Sequence, residues 1–129
     1  MRTNAGADWQ SGVMADTASN GTGAYAAANY IALTADTGTP VDTDTTLPGE
    51  IETGDSGTLS RVQATYAHTT GTSTYTLTNL FTSDESVTVA KIGVLNDPTV
   101  GTLVFEDLFG VPAVLYSGDQ LLVVETVNF

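Results

Sequence analysis

Leu59-Ser60-Arg61-Val62-Gln63-Ala64-Thr65-Tyr66-Ala67-His68, the turn Thr70-Gly71-Thr72-Ser73 and the run Thr74-Tyr75-Thr76-Leu77-Thr78 decide the fold class. In the first run Val62, Ala64, Tyr66 and His68 fall on one face and Arg61, Gln63 and Thr65 on the other. In the last run Tyr75 and Leu77 point inward. Alternation with a period of two marks a strand with one buried face. Two such runs joined by a short glycine-bearing turn predict a β-hairpin.

The same punctuation continues toward the C-terminus. Thr82-Ser83-Asp84-Glu85 is a loop, and Val87 to Leu95 is a strand that Asn96-Asp97-Pro98 ends. Thr102 to Glu106 and Val111 to Leu115 are two further strands. Ser117-Gly118-Asp119 turns the chain into a last strand, Gln120 to Asn128. Its centre, Leu121-Leu122-Val123-Val124, is apolar on both faces. Such a strand is either covered twice in the middle of a sheet or packed against another subunit, and the central position is the expectation. Toward the N-terminus, Asp36 to Thr58 is a long loop rich in Gly and Pro, broken by one short edge pairing near Glu50-Ile51. Before it stands the strand Asn29 to Thr34. About seven strands spaced by turns, with no helical pattern between them, predict an all-β chain. The expected architecture is a single antiparallel β-sandwich, jelly-roll or Ig-like, over residues 24–129.

Residues 1–23 are expected to form an N-terminal arm or short helix. Ala7 to Met14 is long enough for about two turns, with Trp9 and Val13 on one face and Asn4 or Asp8 as cap. Gly12 and the short length weaken that helix. The lone Trp in a polar arm suggests a contact with a neighbour. The candidate partner-interface residues are Trp9, Val13, Met14 and the terminal Phe129.

Composition narrows the function. A chain of 129 residues fits one domain. Its 15 acidic and 3 basic residues give a net charge of -12. Arg2, Arg61 and Lys91 cannot neutralise a phosphate backbone or hold an anionic membrane, so neither nucleic acid nor membrane is an expected partner. No cysteine is present, which removes disulfides and thiolate chemistry. Charged residues make up only 14% of the chain, below the ordinary ~25%, so the imbalance comes from missing lysine. Ten of the acids are Asp, and Thr occupies 23 positions. That profile resembles proteins of salt-loving organisms, where a Debye length of ~3 Å at 1 M salt lets carboxylates crowd together; a mesophilic acidic protein, or one that meets a basic partner, is the alternative. The start, Met1 to Asp8, lacks the apolar core of a secretory leader, and no run is long enough to span a bilayer. Assembly in the host cytoplasm is therefore expected.

The chemistry-bearing residues form no catalytic pattern. His68 is the single histidine, and no Gly-x-Ser-x-Gly elbow accompanies it. Asp36, Asp42, Asp44, Glu50 and Glu52 crowd one loop, but their spacing matches no calcium loop. Asp84-Glu85 and Glu106-Asp107 are acid pairs of a kind any acidic chain offers. Lys91, inside an apolar strand, is expected to be solvated, with a covered stem and an acid partner as the alternative. No catalytic, cofactor-binding or metal residue is assigned, and an enzyme is not expected.

Several strings in fixed order carry a family resemblance: Ala28 to Thr34, Asp44 to Ile51, Ala64 to Tyr75, Val89 to Asn96, Gly101 to Glu106 and Ser117 to Leu121. With a looser match at Thr3 to Asp8, they resemble small structural proteins of tailed viruses of bacteria and haloarchaea, described as head decoration or tail fibre-like proteins. The resemblance covers roughly residues 25–129. It implies a virion component on the capsid surface, a homo-oligomer in the particle, with the major capsid protein or other virion proteins as partners. A tail ring, collar or fibre base is the alternative within the virion. A carbohydrate-binding β-sandwich module is the alternative outside it. That module would need exposed aromatics; Tyr66 and Tyr75 are the candidates, although both also fit the inward set.

Overall fold

The computed structural model describes residues 3–16, 26–52 and 58–129, with backbone only for residues 6–9. Among these residues one helix, α1 (Asn4–Ala15), precedes seven strands: β1 (Tyr30–Thr34), β2 (Val62–Gln63), β3 (Thr65–His68), β4 (Thr74–Thr82), β5 (Val87–Leu95), β6 (Leu103–Leu115) and β7 (Gln120–Asn128). They form two antiparallel sheets, β2-β1-β5-β6 and β3-β4-β7. The chain is thus an all-β sandwich, as its alternation predicts.

The deciding hairpin is present, with Tyr66 opposite Leu77 and His68 opposite Tyr75. The run before its turn is not one strand, however. Val62-Gln63 pairs with β1 in one sheet, while Thr65 to His68 pairs with β4 in the other. Ala64 is the crossing point; it is buried, and its N–H donates to the Asn29 carbonyl at 2.8 Å. Alternation continues through such a crossing because both halves still face the same core.

Between the sheets, Ile31 and Leu33 of β1 stand opposite Val94 and Ile92 of β5. They pack with Tyr75, Leu77 and Phe81 of β4 and Val123 and Val127 of β7. The four-stranded sheet is also covered on its outer face. There the long loop lays Leu47 against Ala32, Leu95 and Leu103. Gly93 makes room for this cover, since a Cβ there would lie 2.9 Å from Leu103 and 3.2 Å from Leu47. The short edge pairing expected near Glu50-Ile51 is a bridge from Glu50 to Thr34.

Two expectations are corrected. The strands at Thr102–Glu106 and Val111–Leu115 are one long β6. Phe109, Gly110, Val111 and Pro112 bulge opposite Ala90, because Ala113 pairs with Val89 and Leu108 with Lys91. A bulge accommodates the proline, which cannot donate to a ladder. The last strand is not central either: β7 pairs with β4 alone and forms an edge of the three-stranded sheet. Its double-sided apolar character therefore leaves one face uncovered.

The N-terminal segment resolves as the helix of the two expected forms. It begins at Asn4, so Asp8 lies within it and not at its start. Its C-terminal turn docks on the sandwich. Ser11 and Ala15 are fully buried. Ser11 Oγ and the Tyr66 hydroxyl share a hydrogen bond of 2.6 Å. The Ala28 N–H and the Asn29 amide satisfy the carbonyls of Met14 and Ala15, at 2.8 and 3.1 Å, which closes the helix end. The connector expected at residues 15–23 lies mostly outside the described residues.

Candidate functional site

The sequence-derived interface residues fall in different surroundings. Val13 is half exposed. Met14 packs against the core cluster beneath the helix. Phe129 also lies on the core, 5.9 Å from the Tyr75 ring and 6.4 Å from the His68 ring, with its N–H donating to Ser73. The Trp9 side chain lies outside the described residues. His68 ends β3 with Nδ1 2.7 Å from the Thr74 carbonyl. Of the two tyrosines weighed for sugar stacking, Tyr75 is buried and Tyr66 is half buried beneath Ser11.

The structure brings forward a different surface. Along β4 and β7, every outward cross-strand pair from Thr82–Gln120 to Thr74–Asn128 is uncharged. Thr65 and Ala67 of β3 continue that face without charge. In its middle, Leu80 stands directly opposite Leu122, with Val124 beside them. These three are 52%, 61% and 53% exposed. In a chain of net charge -12, a whole sheet face without a carboxylate is the part least able to repel a similar surface. The sequence signal was the two-sided apolar run at Leu121 to Val124; only the strand order showed which side stays open.

The inner face of β7 carries Glu125, opposite Leu77. Burial, and then the nearby charge of Asp107, push its carboxyl up to about 7. An inward charge on an edge strand also blunts pairing with a further strand. Between pH 4.5 and about 7 the folded chain holds this proton while the unfolded chain releases it. Stability therefore falls as pH rises through that window and levels off above it. Because the group is half exposed, solvent screening limits the effect to about 1 kcal/mol. Urea unfolding from pH 4.5 to 8 at fixed salt should show this decline, and Glu125→Gln should flatten it.

A second cluster lies beneath the long loop. Lys91, expected to be solvated, is 2% exposed on the outer face of the four-stranded sheet. Its Nζ is 2.6 Å from Asp36 Oδ2 and 3.9 Å from Glu106 Oε1. The loop is brought there by Thr34, whose hydroxyl donates to the Pro48 carbonyl and accepts from the Asp36 N–H. Glu106 side-chain exposure is only 5%. Burial, followed by a hydrogen bond from its carboxyl to Asp44, raises its pKa. Asp44 is correspondingly lowered, first by the Val41 N–H and then by Glu106. Asp36 is lowered chiefly by its bond to Lys91. A shallow cleft of about 360 Å³, lined by Pro40, Val41, Asp44, Phe105 and Glu106 among others, opens beside the cluster.

The remaining loop carboxylate with a strong partner is Glu50, held by Arg61 in a two-pronged pair of 2.6 and 2.8 Å. Among the described residues, no helix is long and apolar enough to cross a membrane. No family model, curated protein or solved structure matches the chain.

Proposed function

We propose that this chain is a virion structural protein, a decoration or cement protein on the head of a tailed virus of a salt-loving host. The observation that carries an assembly role is the uncharged outward face of β3, β4 and β7, centred on Leu80, Leu122 and Val124. The order-and-spacing resemblance supplies the virion.

The occupant proposed for that face is a second copy of the chain. Two copies of a polyanion meet at lowest electrostatic cost where neither presents a carboxylate. Strands of nine residues spaced ~4.8 Å apart span a flat area on the order of 400 Å² per copy. The pair would bury less than the ~1,200 Å² of a standard stable interface. A single contact is then weak, and holding many copies on a shell multiplies it. That suits a repeated building part added to a particle already formed by other proteins.

Two measurements test this. Sedimentation of the purified chain should show concentration-dependent association that Leu122→Asp abolishes without unfolding the monomer. A wild-type chain that stays monomeric at millimolar concentration removes the self-association. Quantitative mass spectrometry of purified particles should find hundreds of copies. A count near a small multiple of three or six moves the protein to the tail, and its absence from the particles overturns the virion assignment.

A further inference from the structure

The geometry points to an intramolecular amide bond between Lys91 Nζ and Asp36 Cγ, formed by the folded chain itself with Glu106 as the proton carrier. Three observations meet here. The amine is 2% exposed and in contact with one carboxyl group, at 2.6 Å. A second carboxyl group, on the neighbouring strand, presents Oε1 at 3.9 Å from the same nitrogen. That Oε1 is buried and has no hydrogen-bond partner among the described residues. A bare buried oxygen is costly, because it has lost its water and gained no donor. An acceptor left open beside a reacting nitrogen has a use for a passing proton.

The reaction is a condensation and needs no co-reactant. In the ion pair, the Lys91 ammonium hands a proton to Asp36, leaving a neutral amine and a neutral acid. The bond to Lys91 holds Asp36 below its usual pKa, so this neutral form is the minor one and makes the condensation slow. The Nζ lone pair attacks Asp36 Cγ. Glu106 Oε1 takes the proton released by nitrogen, and the Glu106 carboxyl returns a proton to the departing hydroxyl. The C–N bond forms, the C–O bond breaks, one water leaves, and Glu106 ends as it began. Burial and Asp44 raise the Glu106 pKa, which shifts it toward the protonated form that such a carrier needs. Holding amine and carboxyl in contact gives an effective molarity of roughly 10⁵ M or more, which offsets the ordinary preference for hydrolysis in water. Asp36 retains a side-chain exposure of 34%, so the water formed has an exit.

The bond would join positions 55 residues apart in sequence and clamp the start of the covering loop to the central strand β5. A particle subunit loaded in tension gains from such a clamp, but the chemistry stands whether or not the protein belongs to a virion.

Intact-mass spectrometry of the denatured full-length chain is the test. The wild type should be lighter than its sequence by one water. Trypsin has sites only at Arg2, Arg61 and Lys91; the bond should block cleavage after Lys91 and leave residues 3–61 joined to 62–129. Lys91→Met and Asp36→Ala should carry the full sequence mass. Glu106→Gln keeps the shape but cannot cycle the proton; folded by circular dichroism, it should also carry the full mass. A wild-type chain at full sequence mass after prolonged incubation in the folded state overturns the bond and leaves an ion pair. So does a loss of water that survives Lys91→Met. Bond formation undiminished in Glu106→Gln overturns the role of Glu106.

Discussion

Replacing Arg61 by Ala is expected to lower stability by about 3 kcal/mol, the cost of breaking a largely buried, doubly hydrogen-bonded ion pair. The side chain is 10% exposed and reaches two other segments at once. Its Nε and Nη2 donate to the two Glu50 oxygens at 2.8 and 2.6 Å. Its Nη1 donates to the Asp97 and Val100 carbonyls at 2.9 and 2.7 Å. One guanidinium thus pins the end of the covering loop and the turn between β5 and β6 to the entry of β2. Gly101 supports the same turn: its φ is +90°, and a Cβ there would lie 2.6 Å from Asn96 and Asp97 atoms. Arg61→Lys keeps the charge but has no planar fork, so it should still lose about 2 kcal/mol. With an m-value of roughly 1–3 kcal/mol/M in urea, the Ala variant should shift the midpoint down by about 1–3 M. Concentrated salt should not restore it, because dissolved ions supply no hydrogen-bond donors to the Glu50 carboxylate or the Asp97 and Val100 carbonyls. Equal midpoints for wild type and Arg61→Ala would show that the loop and turn hold without the guanidinium.

Deleting residues 1–16 is expected to cost on the order of 3 kcal/mol, about what burying one or two apolar side chains contributes. The loss would come from Met14 and Ala15 against the core and from the Ser11 bond to Tyr66. The amide of Asn29 and the N–H of Ala28 would also lose their carbonyl partners. Urea unfolding and limited proteolysis would read this as a lower midpoint and faster cleavage near β1. The competing picture, an independent arm, predicts an unchanged midpoint. Loss of particle binding after this truncation would then need a control for stability, since a weakened sandwich could fail to join for that reason alone.

Both predictions concern contacts that the sequence does not display. The sequence marks Arg61 as an outward residue of an alternating run, and it marks Glu50-Ile51 as a short edge pairing. That the two meet depends on the loop returning over the sheet. For the helix, Trp9 and Val13 four apart and a single Gly12 left helix and arm open. Tertiary partners for Ser11, Met14 and Ala15 decided between them, as is usual for a helix too short to stand alone.

The sequence by itself determined the sandwich. Alternation through Val62, Ala64, Tyr66, Tyr75 and Leu77 is a local property, because strand geometry puts every second side chain on one face wherever the strand lies. It also determined the charge balance, -12 over 129 residues, which is electrostatically unfavourable for a phosphate-rich surface. Only the tertiary structure decided that Gln120 to Asn128 lies at an edge, that Val62 to His68 crosses between sheets, and that Lys91 is buried against Asp36 and Glu106. Strand order and loop return are set by pairings between residues far apart in the chain. An apolar run reads the same whether a second layer covers it or not, and a lysine in a strand reads the same in water or beneath a loop. The uncharged face around Leu80 and Leu122 and the closed amine–carboxyl cluster both arise from that long-range placement.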